Sequence, residues 1–139
     1  MYRRILVAIE HSTADQAILG HIRELAKLTG AELLLVHVAD GFAARHFNDL
    51  KLRESEEMRG DREYLERVAS ELAAADLRVS TELAMGDPAT ELIRVAEARH
   101  VDLIAMSTHG HRGLNDLLRG TTVNRVRHEV KIPVLLLRA

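Results

Sequence analysis

Five short apolar runs punctuate the chain and predict five β-strands. Four of them are nearly continuous in Val, Ile and Leu, as strands covered by helices on both faces require. They are Ile5–Ile9, Leu33–Val38, Leu103–Met106 and Val134–Leu137. The remaining run, Leu77–Leu83, alternates apolar and polar residues. Because alternation is typical of a strand with one covered face, this run is predicted at an edge of the sheet.

The longer segments between the runs carry apolar residues at helical spacing. In the first segment these residues are Ala17, Ile18, His21, Leu25 and Leu28, with Thr29-Gly30 as a stop signal. The insert 40–75 begins polar and unpatterned. From about Asp61 it shows an apolar stripe, which predicts a second helix: Leu65, Val68, Leu72 and Ala75.

Two further helices are predicted in the second half of the chain. Asp87-Pro88 opens the first of them, 88–99, with Leu92, Ile93, Val95 and Ala96 as its apolar residues. The last helix spans roughly 121–129 and turns Val123, Val126 and Val130 inward. Strands that alternate with helices in this way predict an α/β fold with a parallel sheet and right-handed crossovers.

Composition narrows the class of protein. Nearly half of the 139 residues are hydrophobic and Gly and Pro are sparse, so one core and one domain, 1–139, are predicted. The absence of cysteine excludes disulfides and thiol nucleophiles. The apolar run after Arg3-Arg4 is too short for a signal peptide or a membrane span. A net charge of −2 and the lack of Trp disfavour nucleic acid. We therefore expect a soluble cytoplasmic protein with neither nucleic acid nor a membrane as partner.

Two segments are predicted to border a ligand site. Doubly wound sheets bind ligands beyond the carboxyl ends of their strands, where the strand order reverses. With five parallel strands, that reversal commonly lies between the first strand and the fourth. The residues that leave these two strands are Glu10-His11-Ser12 and Ser107-Thr108-His109-Gly110.

The connection that follows the fourth strand, residues 107–122, exceeds the roughly 2–6 residues usual for such loops. It contains Gly110, Gly113 and Gly120, and it ends in Gly120-Thr121-Thr122 at the start of a helix. Small residues let a phosphate approach the backbone, and the N–H groups at a helix N-terminus attract it. Alternatively, the glycines only shape turns and a threonine only caps the helix. Spacing alone leaves both interpretations open.

These residues together resemble the universal stress protein (UspA) family over essentially the whole chain. The nucleotide signature of that family is Gly, two residues, Gly, nine residues, then Gly followed by Ser or Thr. The register here is Ser107, Gly110 and Gly120-Thr121, which leaves Gly113 outside it. Further matching segments are Ile5–Ser12, Leu35–Val38, Gly86–Ala89, Val101–Ile104 and Ile132–Leu135.

The resemblance implies an adenine nucleotide alpha hydrolase-like fold, a single doubly wound five-stranded parallel sheet of order 3-2-1-4-5 with helices on both faces. It also implies ATP or AMP as a bound ligand. Any Mg²⁺ or Mn²⁺ is expected to bind through the phosphates of that nucleotide. The residues that correspond to the adenine site are Ala8, Glu10 and Val38. Those that correspond to the phosphate site are Gly110, Gly120, Thr121 and Thr122, and the approach is lined by Met106, Ser107 and His109. Relatives often dimerise through their last strand, here Pro133–Arg138.

Three positions depart from the family pattern. Ser107 replaces the first signature glycine, so its Cβ crowds a ligand there while its hydroxyl offers a donor. Glu10 and His11 stand where the family has Asp and Gly, and the extra methylene of Glu10 moves its carboxylate by about an ångström. We expect these changes to affect the affinity for a ligand more than the location of the site.

Other chemical readings of the chain have less support. His109 and His111 are too close in sequence to chelate a metal by themselves. His37 is predicted to be an interior histidine with its hydrogen bonds satisfied. The charged run Glu54–Glu63 is predicted to be a solvated helix face or part of a lid. Three function classes follow: a nucleotide-binding regulatory module, which is favoured, a slow ATPase, and a ligand-free interaction protein. For the ATPase, Glu10, His109 and Arg112 are conceivable groups, but no spacing assigns a catalytic residue.

Overall fold

The computed structural model describes residues 1–40, 47–108 and 120–139, with side-chain environments for all of these except 40, 47–55 and 120. The five strands are β1 Arg4–Ala8, β2 Glu32–Asp40, β3 Val79–Gly86, β4 Leu103–Thr108 and β5 Val134–Arg138. The four helices are α1 Asp15–Thr29, α2 Phe47–Ala73, α3 Pro88–Ala98 and α4 Gly120–Glu129. Each predicted strand is present, with bounds shifted by a few residues.

The strands form one parallel sheet in the order β3-β2-β1-β4-β5. This order confirms the doubly wound 3-2-1-4-5 topology, and it places β3 at an edge as its alternating pattern predicted. From β1 the chain moves outward through β2 to β3, and then crosses to β4 and β5 on the other side. The strand order therefore reverses between β1 and β4, which is where such folds bind ligands.

Two hydrophobic cores cover the opposite faces of the sheet. Leu6 and Ala8 of β1 belong to the core shared with α3 and α4. Ile5, Val7 and Ile9 belong to the core shared with α1 and α2. This division follows from the alternation of side chains along a strand. Consecutive residues at the end of β1 therefore contact helices on opposite faces of the sheet.

Two helices differ from the prediction: α1 exposes an apolar residue that was expected to be buried, and α2 begins earlier than expected. Leu28 fits the apolar spacing of α1, yet it is 85% exposed, while Ile22 is fully buried. α2 begins at Phe47, well before Asp61. The pattern missed its first half because the apolar stripe in the sequence begins only near Asp61 and comprises the buried Leu65, Val68 and Leu72.

Candidate functional site

A narrow pocket lies at the carboxyl ends of β1 and β2. Three of its lining residues are Ala8, Glu10 and Val38, which the family resemblance had assigned to adenine. The others are Ile9, Val36, Pro88 and Leu92. Pro88 and Leu92 of α3 were not predicted as site residues. The signal that points to them is the helix entry Gly86–Ala89, which begins α3 beside the end of β2.

The start of α3 is fixed by a capped first turn. The Asp87 carboxylate accepts hydrogen bonds from the Thr90 backbone N–H at 3.0 Å and from its hydroxyl at 2.7 Å. Arg125 of α4 donates to the same carboxylate at 2.7 Å. The hydrogen bonds from Thr90, and after them the Arg125 guanidinium, lower the pKa of Asp87 below its usual value. Asp87 therefore holds the pocket-lining end of α3 and links it to α4.

The turn between β1 and α1 is organised by the carboxylate of Asp15, which is 1% exposed. Backbone N–H groups of Glu10 and His11 each donate to it at 2.9 Å, and that of Ser12 at 3.3 Å. The Ser12 hydroxyl in turn donates to Glu10 Oε2 at 3.2 Å. One buried carboxylate thus orders the backbone that carries Glu10 to the pocket.

Helix α2 contacts the outer side of this turn. The His11 ring stacks on the Tyr64 ring, with centroids 4.1 Å apart, and its Nδ1 lies 2.8 Å from Asp61 Oδ1. The Tyr64 hydroxyl donates to Asp15 Oδ2 at 2.7 Å. Burial, and then the hydrogen bond to the Asp15 carboxylate, raise the pKa of Tyr64. Sequence reasoning missed this cluster because its members come from segments far apart in the chain.

His37 is a satisfied interior histidine, as predicted. It is 5% exposed and its Nδ1 donates to the carbonyl oxygen of Ile9 at 2.8 Å. Its Nε2 lies 3.4 Å from the second carboxylate oxygen of Asp61. Among the described residues, no group of three or more His, Cys, Asp or Glu side chains is arranged to hold a metal ion.

At the end of β4, Met106 is fully buried within the core shared with α3 and α4. Ser107 is 1% exposed, and its hydroxyl oxygen has no hydrogen-bond partner within the described parts of the chain. Gly120 begins α4, where Thr121 is exposed and Thr122 is buried. The predicted contacts His109 and Gly110 fall outside the described residues, as does the rest of the loop 109–119.

No helix in the described ranges is both long and apolar enough to cross a membrane.

The fold is that of a doubly wound α/β protein with a pocket at the carboxyl edge, beside the reversal of strand order. The chain belongs to the universal stress protein family, whose profile matches residues 1–138.

Known relatives support this assignment over the full length. Universal stress protein MJ0577 of Methanocaldococcus jannaschii is 27% identical over 158 residues, covering 99% of this chain and 96% of the relative. The solved structure of MJ0577 has a TM-score of 0.79 at 28% identity, covering 100% of this chain and 97% of that one.

Two more distant solved structures contain nucleotides. The universal stress protein of Archaeoglobus fulgidus in complex with dAMP has a TM-score of 0.72 at 20% identity, covering 97% of both chains. A universal stress protein in complex with cAMP has a TM-score of 0.67 at 17% identity, covering 99% of this chain and 97% of that one. At these identities the likeness shows the fold alone.

Proposed function

We propose that this protein is a regulatory module that binds AMP or ATP at the carboxyl edge of its sheet. The observation that carries the proposal is the pocket that Ala8, Glu10 and Val38 line together beside the reversal of strand order. Its walls are apolar apart from Glu10, which suits the faces of a purine base with a carboxylate near the ribose hydroxyls. That relatives of this fold are found with dAMP and with cAMP supports the choice of ligand.

The pocket is a narrow cleft, far smaller than the roughly 300–1,000 Å³ of pockets that enclose whole ligands. A base would therefore lie against its opening, and only part of a nucleotide would be held there. The phosphates would then extend towards the first turn of α4, where Gly120 and the exposed Thr121 lie. N–H groups of a first helical turn have no partner within their own helix, and they favour an anion.

Ser107 offers a further polar group at the end of β4. Its hydroxyl is buried at the end of β4 and has no partner among the described residues, and such a group is stabilised when a hydrogen bond reaches it. We include it in the proposed site with Met106, His109, Gly110 and Thr122, the remaining residues that the resemblance implies. Mg²⁺ or Mn²⁺ would enter only with the phosphates of the nucleotide.

Substitution of Gly120 by Asp tests the phosphate part of the site. A carboxylate there repels phosphate, whereas Asp in the first turn of a helix favours the helix itself, so we expect a folded protein that does not bind AMP or ATP. Gly20→Asp is the matched control, since Gly20 lies on α1 with open space around it. Isothermal titration calorimetry measures the affinities, and mass spectrometry of deproteinised samples identifies any nucleotide that co-purifies.

The outcomes separate the proposed function from its alternatives. Wild-type protein that carries no nucleotide and binds neither AMP nor ATP at millimolar concentration would contradict the proposal and favour a ligand-free interaction protein. Equal binding by Gly120→Asp and Gly20→Asp would place the ligand somewhere other than the start of α4.

A further inference from the structure

The turn between β1 and α1 has two sides with different neighbours. On one side Glu10 lines the pocket, together with Pro88 and Leu92 of α3. On the other side the next residue, His11, contacts α2 through Tyr64 and Asp61. Because Glu10 and His11 are adjacent in the chain, any rotation of the turn that moves one of them also moves the other.

His11 holds an unfavourable backbone conformation. Its φ is +64°, in the left-handed region that side chains other than glycine disfavour because Cβ approaches the following carbonyl oxygen. Such a conformation persists only where the surrounding contacts maintain it. His11 donates its N–H to Asp15, and its ring is held by α2.

The contacts from α2 reach the turn by two routes. Tyr64 stacks on the His11 ring at an interplanar angle of 15°, and Asp61 accepts from Nδ1 of that ring. Tyr64 also donates to Asp15, which binds the N–H groups of the turn. The second oxygen of the Asp61 carboxylate lies 3.4 Å from His37 Nε2 of β2. The turn is therefore held between α2 and the start of α1.

We propose that His11 is a positioning residue for the pocket: held by Asp61 and Tyr64, it fixes the turn and with it the direction of the Glu10 carboxylate. Docking of α2 and occupancy of the pocket are then coupled. The coupling to a nucleotide rests on the proposed function, whereas the hold of α2 on the turn is a property of the free protein. Since coupling between two equilibria is reciprocal, a bound nucleotide strengthens the docking of α2 in return.

His11→Gly tests this role without forcing the backbone to rearrange, because glycine adopts a positive φ readily. The matched control is His100→Gly. His100 also has a positive φ, of 53°, but it lies between α3 and β4, at the amino ends of the strands and away from the pocket. His11→Asn is a conservative variant, since asparagine tolerates the left-handed region and its amide can donate to Asp61.

Hydrogen exchange measured by mass spectrometry reports on the turn in the free protein. We expect the amides of Glu10, His11 and Ser12 to exchange roughly three- to tenfold faster in His11→Gly, as loss of about one hydrogen bond implies, and His11→Asn to recover part of the protection. In calorimetry, AMP should bind roughly three- to tenfold more weakly to His11→Gly. AMP should also slow exchange in residues 56–65 of α2 in the wild type, and less so in His11→Gly. His100→Gly should match the wild type in all three measurements.

The results distinguish a positioning role from a merely structural one. Unchanged exchange of the turn in His11→Gly would overturn the hold of α2 on it. Faster exchange with an unchanged affinity for AMP would overturn the coupling to the pocket. If the wild type binds neither AMP nor ATP, the proposed function and the coupling both fall, while the exchange rates of the free proteins still decide whether α2 fixes the turn.

Discussion

At the scale of the residue, the site combines one ordered carboxylate with one unpartnered hydroxyl. Asp15 is buried, but it accepts hydrogen bonds from three backbone N–H groups and from Tyr64, which offsets the cost of burying its charge. Ser107 is buried with no partner in the described parts of the chain. A satisfied group of this kind stabilises the fold, whereas an unsatisfied one is typical of places where a ligand or a neighbouring loop supplies the bond.

We expect Ser107→Ala to leave the free protein equally stable or to stabilise it by about 1 kcal/mol, because the substitution removes a buried hydroxyl without a partner. Nucleotide affinity should fall if the hydroxyl contacts the ligand. Urea unfolding and calorimetry measure the two effects. Ser80→Ala, at an exposed position of β3, is the matched control, and its free energy of unfolding is expected to change by no more than about 0.5 kcal/mol. A clear loss of stability in Ser107→Ala would show that the hydroxyl is already bonded in the free protein.

At the scale of the element, the pocket depends on where α3 begins. Its first turn is capped by Asp87 and linked through Arg125 to α4, the helix whose start is the proposed phosphate site. The ion pair between Asp87 and Arg125 is about half exposed, so solvent screens it and its contribution to stability is small. The cap itself is therefore expected to be the larger of the two contributions.

Substitutions at Asp87 separate the cap from the charge. Asp87→Ala loses both, and it should lower the free energy of unfolding by about 1 kcal/mol or more. Asp87→Asn keeps a good N-cap residue and loses the charge, so it should lower that free energy by much less. Urea unfolding measures both variants beside Glu97→Ala, an exposed control on the same helix. Equal losses in the two Asp87 variants would show that the ion pair to Arg125 matters more than the cap.

At the scale of the whole molecule, β5 forms one edge of the sheet that the described residues build. β5 contacts β4 on one side, and the side chains of Val134–Leu137 are only half-buried. Pro133 accepts from Ile104 and Ala139 donates to Thr108, so the alternate N–H groups of β5, including that of Arg138, point away from β4. This arrangement supports the homodimer through Pro133–Arg138 that the family resemblance implies.

Arg138→Pro tests this pairing. Proline removes the outward N–H of an exposed residue at a position that an edge strand tolerates, so the monomer should fold while the dimer weakens by roughly tenfold, since the two copies lose one hydrogen bond each. Arg138→Ala keeps the N–H and is the control. Sedimentation velocity over a concentration series measures the dissociation constants. Identical dimerisation of the two variants would exclude main-chain pairing at Arg138, and a monomeric wild type would contradict the dimer altogether.

Local pattern was sufficient for most of the fold. Continuous apolar runs identified β1, β2 and β4 as buried strands, and alternation identified β3 as an edge strand. The equally continuous run of β5 was expected to be covered on both faces, but β5 forms the other edge and is only half-buried. The limits of local pattern also explain the error at α2. Its first half shows no apolar stripe in the sequence, and a periodicity argument cannot reveal a helix where the sequence carries no stripe.

The sequence by itself determined the alternation of strands and helices, the coverage of both faces of the sheet and the family signature from which its order was inferred. Only the tertiary structure decided which residues meet at the carboxyl edge. It brings Ala8, Glu10 and Val38 to one pocket and sets His11 against Asp61 and Tyr64 of α2. The physical reason is that period and propensity record whether a side chain is buried, whereas contacts between distant segments depend on strand order and on the face to which each side chain points.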